Sequence, residues 1–181
     1  MTKCCSDVTV RHIADAVASA PCWVAKKLGD LKAALSGSDV IPCAQHSVKI
    51  SQRRDPNVFY QTRPGLNVLS GFPHRVASQA ETIDVGISFT VSEHMLRESL
   101  FDKRIETRLP RPYRFSESAA CAFMAELLDS DRLDWRLRYI LYLNSCVMSV
   151  SRDYSGKDWN VAPLDRNLFR WRTGHRVLSP A

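Results

Sequence analysis

Leu133–Val150 reads LDWRLRYILYLNSCVMSV, and its conformation decides the fold. Leu137, Ile140, Leu141, Val147 and Met148 make it apolar on most sides, and a helix apolar nearly all round is a buried one. The spacing predicts the longest helix of the chain here. That helix would be the spine of a C-terminal part, or half of a homodimer interface. The apolar core of the run, Tyr139–Val150, is too short and too interrupted to span a bilayer, so no membrane partner is expected.

Upstream, Ser116 opens a second helix to about Leu128, closed by Asp129–Asp131. Before it, Ser92 caps a helix to about Ile105, with Met95, Leu96, Leu100 and Phe101 inward. Arg104, Arg108, Arg111 and Arg114 follow in a connector that also carries Tyr113 and Phe115. Arginine among aromatics binds nucleic acid by phosphate contact and stacking, and it equally covers a core edge. Ile83, Val85, Ile87 and Phe89 alternate with polar or small residues, the period of a half-buried strand. Residues 63–82, with Pro64, Gly65, Gly71 and Pro73, read as a linker in which His74 and Arg75 have no evident catalytic partner.

Downstream the tail is aromatic and basic. Asp153-Tyr154-Ser155-Gly156-Lys157-Asp158-Trp159 has the pattern D-Y-x-G-x-x-W, with Gly156 as a helix C-cap. This short stretch, residues 153–160, resembles a piece of the plasmid antirestriction proteins, with Lys157 in place of the second glycine of their D-Y-N-G-G-x-W pattern. The resemblance implies a protein-binding inhibitor of a host defence system, with a host protein as partner.

At the other end, Val10–Leu35 (VRHIADAVASAPCWVAKKLGDLKAAL) reads as two amphipathic helices and a turn. Thr9 can cap the first helix, and Ile13, Ala14 and Val17 share a face. Ala18-Ser19-Ala20 is the turn. Pro21 suits the first position of a second helix, whose buried face is Val24, Leu28 and Leu31. Pro21, Cys22, Trp23, Lys26 and Lys27 fall on the other face. The stretch resembles the helix-turn-helix of bacterial regulators: Ala14, Ala18, Val24 and Leu28 stand at that family's small and apolar positions, with Ala18 where glycine is usual. The resemblance implies major-groove reading of double-stranded DNA by the second helix and phosphate neutralisation by the lysines.

His46–Ile50 reads as a strand, Gln52–Asn57 as a turn, and Val58–Gln61 as the returning strand. A hairpin with Arg53 and Arg54 at its tip resembles the wing of winged-helix proteins, which sets arginine against the backbone or minor groove. Cys43 and His46 lack a second ligand pair at metal-binding spacing.

The chain of 181 residues carries net charge +6, which suits an acidic partner such as nucleic acid. Six cysteines form no CxxC pair, and Cys121 and Cys146 lie in apolar surroundings, so a cytoplasmic, reducing setting is expected. The histidines are dispersed, and no nucleophile, metalloprotease or phosphate-loop pattern occurs. Taken together, these readings predict a helix-dominated α+β protein. Residues 1–62 are a helix-turn-helix with a β-hairpin, 63–82 a linker, and 83–181 a mainly helical part. The expected function is a DNA-binding transcriptional regulator borne by a phage or plasmid, homodimeric, without catalytic residues, metal or cofactor. Its DNA contacts would be Pro21, Cys22, Trp23, Lys26, Lys27, Arg53 and Arg54.

Overall fold

Strand, not helix, dominates the described residues of the computed structural model: 36% of them are strand and 22% helix. The structure describes residues 38–134 and 136–181, all of which but Ser38 belong to the second of the two units into which the chain divides, Asp39–Ala181. Val10–Leu35, with Pro21, Cys22, Trp23, Lys26 and Lys27, lies outside the described residues.

Leu133–Val150 is not a helix. It supplies two adjacent strands, β5 (Arg138–Tyr142) and β6 (Val147–Arg152), paired antiparallel with Leu141 opposite Met148. The stretch is apolar on most sides because this hairpin lies inside a sheet covered on its first face and, over Ile140, Tyr142 and Val147, on its second. Tyr139, Leu141, Met148 and Val150 enter one core, while Ile140, Tyr142 and Val147 enter another. Strands buried on both faces lose the apolar–polar alternation that identifies a strand, and what remains reads equally as a buried helix. The expected dimer interface on this stretch falls with the helix, since its apolar side chains are internal.

The other strands of the sheet are β1 (Val40–Lys49), β2 (Leu66–Val68), β3 (Ser88–Leu96), β7 (Trp159–Leu164) and β9 (Arg176–Pro180), in the order β1-β3-β9-β5-β6-β7-β2. The contacts β9–β5 and β7–β2 are parallel and the rest antiparallel. A separate two-stranded ribbon joins β4 (Leu100–Phe101) to β8 (Arg170–Trp171).

On the first face lies the expected helix after Ser116, here α4 (Glu117–Asp129). The Ser116 hydroxyl accepts from the Ala119 amide at 3.2 Å, satisfying a first-turn donor. Ala120, Phe123, Met124 and Leu127 pack on the sheet. Glu117 in its first turn accepts from the Ser145 amide at 2.9 Å, tying the helix to the β5–β6 turn. The same core takes Phe72, Val76 and Ala77 from α2 (Phe72–Arg75) and the 3-10 turn after it, within the segment 63–82.

The second face is covered at one end by the β4–β8 ribbon and by α3 (Asp102–Glu106). Asp102 joins them. Its buried carboxylate accepts from Tyr142 Oη at 2.8 Å, Trp171 Nε1 at 2.6 Å and the Asn167 amide at 2.6 Å.

Other expectations are corrected. Val58–Gln61 is no returning strand but part of α1 (Pro56–Thr62), started by Asp55, whose carboxylate accepts from the Asn57 and Val58 amides; there is no wing hairpin. Pro56 at the first helical position favours that start. Residues 92–105 are strand for half their length: His94 and Leu96 are buried along β3, and the only helix there is Asp102–Glu106. The strand expected at 83–89 starts at Ser88, leaving Val85 and Ile87 exposed. Gly156, at φ +69°, serves a β-turn and not a helix end. No helix among the described residues is long and apolar enough to cross a membrane.

Candidate functional site

Beyond the ribbon the second face of the sheet stays open. Side chains at alternate positions of β5, β6 and β7 form its floor, and there the sequence turns small and polar. Arg138 stands opposite Ser151, and Ser151 opposite Asn160. One step along, Ile140 stands opposite Ser149, and Ser149 opposite Ala162. Small residues on a sheet face leave a hollow. A cavity of about 440 Å³ lies over Ser149, Ser151, Asn160 and Ala162, with Tyr154 and Phe169 among its walls. A second, of about 330 Å³, lies beside it over Arg136, Thr173, Gly174 and His175. The two share Arg138, Ser151 and Arg152.

Positive charge gathers where they meet. Arg138 and Arg172 side chains have neither a hydrogen bond nor an ion pair among the described residues. Both press on His175: burial, then Arg138 and Arg172, push its imidazolium down to about 4, so the ring is neutral at physiological pH. Neighbouring carboxylates are engaged elsewhere. Asp134 binds Arg136 at 3.0 Å through both oxygens. Asp153 turns into its own loop, accepting from the Ser155 hydroxyl and from the Lys157 and Asp158 amides.

That loop is the D-Y-x-G-x-x-W stretch, here the tight connection from β6 to β7. Gly156 takes the left-handed conformation that its closure requires. Arg152 donates to the carbonyls of Gly156 and Lys157 and stacks on Trp159, 4.6 Å from the ring centroid. Between Asp153 and the closed turn, Tyr154 is left wholly in solvent at the cavity wall. Phe169, 45% exposed, leans on Trp171 of the ribbon, with ring centroids 6.3 Å apart. A concave, cationic, aromatic-edged surface with hydroxyls and an amide on its floor can hold an anion and a flat ring at once.

The residues singled out in sequence are scattered differently. Arg53 is exposed and lies 3.7 Å from Asp84. Arg54 is 3% exposed, bonded to Glu126 at 2.8 Å and to Asp129, with Arg63 on the other Asp129 oxygen at 3.0 Å. Its guanidinium has no surface to offer a groove. Cys43 and His46 do not converge: His46 Nε2 meets Glu93 at 2.8 Å and Cys43 Sγ donates to the Ile41 carbonyl. Arg104 and Arg108 face Asp39, and Arg75 faces Asp165. Cys121 and Cys146 are buried in the core as expected, with free thiols. Arg138, Arg172, Tyr154 and Phe169 are the residues that sequence reasoning missed. Its available signal was Ser149-x-Ser151 and Asn160-x-Ala162, small residues at alternate positions inside apolar strands. Compared with known proteins, the chain matches no family model, no curated protein and no solved structure.

Proposed function

We propose that this chain is a nucleic-acid-binding protein, a DNA-binding regulator working in the cytoplasm, whose Asp39–Ala181 unit grips the sugar–phosphate backbone with the arginine-lined cleft. One observation carries the reading: Arg138, shared by the two concavities, stands uncompensated near a neutral His175, on which Arg172 also acts. Phosphates are the common partner of unpaired arginines on a concave surface, and a net charge of +6 supports a polyanion. Residues 9–35 supply the second arm of the proposal, with Lys26 and Lys27 on duplex phosphates.

The experiment is a binding titration against labelled duplex and single-stranded DNA across a salt series. Each phosphate contact adds about 0.9 to the slope of log affinity on log salt for duplex and about 0.7 for a single strand. Arg138→Ala with Arg172→Ala is expected to flatten the slope by about one to two units and to weaken all sequences alike. Lys26→Ala with Lys27→Ala tests the other arm in the same way. A chain that binds neither DNA at low salt, and instead captures one host protein, belongs to the inhibitor class that the Asp153–Trp159 stretch implies.

A further inference from the structure

We infer that the larger cavity holds an unpaired nucleotide of a single strand, its base against Tyr154 and Phe169 and its phosphate on Arg138. This rests on the nucleic-acid reading of the same cleft and adds to it the form of the ligand.

The walls select the ligand. Phosphate alone accounts for Arg138, yet leaves unexplained why Tyr154 and Phe169 stand exposed at the same opening. A duplex presents phosphates and hides the faces of its bases, so it would leave both rings in water. A nucleotide out of a stack offers a flat π surface and an anion a few ångströms apart, the pair of features that this cavity matches. Base–aromatic stacking on an open sheet with arginines on the backbone is how single strands are held without reading sequence. The floor adds polar partners: the Asn160 amide and the Ser151 hydroxyl face the cavity from adjacent strands. A cavity of about 440 Å³ is in the range of sites that hold one small organic ligand, roughly 300–1,000 Å³. Tyr154 is also held ready. Asp153 fixes the loop from one side and Arg152 from the other, so little backbone freedom remains to be lost on binding.

The full chain is titrated with three probes: a fluorescein-labelled ten-nucleotide oligothymidylate, a labelled duplex of mixed sequence, and thymidine monophosphate as competitor. Tyr154→Ala and the double variant with Phe169→Ala are compared with the parent, their folding checked by circular dichroism. Tyr154 has no packing to lose, so its single variant carries the test if Phe169→Ala disturbs the ribbon. The expected result is about tenfold weaker binding of the oligothymidylate for each stack removed, with the duplex unchanged and the monophosphate competing only at far higher concentration. Equal losses on duplex and single strand, or no loss on either, overturn the inference while leaving the nucleic-acid reading in place. A monophosphate that binds as tightly as the oligomer overturns the strand in favour of a free nucleotide. Failure of the parent to bind any probe overturns the nucleic-acid reading itself.

Discussion

Asp102 is 1% exposed and faces three donors, two of them from aromatic side chains. Burial, and then the carboxylate itself, push the Tyr142 hydroxyl well above its ordinary range, so it stays a donor. Asp102→Ala orphans all three donors. An unsatisfied buried donor costs about 1–3 kcal/mol, so the loss is expected to reach about 3 kcal/mol or more, read by urea unfolding of the variant. Arg53 and Arg54 make a second case. They look alike in sequence, a basic pair before Asp-Pro-Asn. Arg53→Ala is expected to change stability by less than about 0.5 kcal/mol, as for other exposed sites. Arg54→Ala leaves Glu126 and Asp129 without their shared partner, and breaking a buried pair costs about 3–5 kcal/mol. Which of two adjacent arginines turns inward depends on carboxylates more than seventy residues away, and no local pattern carries that. The network also has a pH signature. Burial raises the Glu126 and Asp129 carboxyls, but bonds from Arg54, with Ser51 and Arg63, outweigh it and hold both below their ordinary values. A depressed carboxyl contributes stability above its unfolded pKa and loses it as pH falls through the folded one. Unfolding curves taken downward from pH 5 are expected to show the parent losing stability more steeply than Arg54→Met, which lacks the pair.

At the scale of elements, α4 was legible because its evidence is local: a serine cap, a glutamate in the first turn and a run rich in alanine, leucine and glutamate with no glycine or proline. Ser116→Ala is expected to cost about 1 kcal/mol by the same urea measurement. The β5–β6 hairpin was not legible, because its evidence lies across the sheet. Tyr139, Ile140, Leu141 and Tyr142 are all buried, and a run apolar at every position carries neither period. What distinguishes it is composition, aromatic and β-branched residues on either side of Asn144-Ser145, a turn signal in mid-run. NMR contacts between the α-protons of the non-hydrogen-bonded strand partners Ile140 and Ser149, or Tyr142 and Val147, check the assignment; sequential amide contacts through Asn144 would restore a helix. The wing failed for a related reason. Asp55 and Pro56 start a helix as well as they make a turn, and the amphipathic face of α1, with Tyr60 buried against α4 and bonded to the Cys121 carbonyl at 3.0 Å, settles the choice.

For the whole molecule, the order β1-β3-β9-β5-β6-β7-β2 bears on synthesis. The last of the described strands in chain order, β9, lies in the interior of the sheet, between β3 and β5. Everything before residue 176 can form only two half-sheets, β1-β3 and β5-β6-β7-β2, each with a raw edge where β9 belongs. Pairings this distant along the chain close slowly, and unpaired edges recruit other strands. The sheet therefore cannot close while the ribosome is still short of Arg176. A chain stopped after His175 is expected to be insoluble or captured by chaperones, which pelleting of a cell lysate would show; a soluble, cooperatively unfolding product would mean that the half-sheets stand alone. The same placement makes damage to the β9 codons costlier than damage in the middle of a loop. A nonsense codon anywhere in Arg176–Pro180 takes out the strand that holds the two halves together.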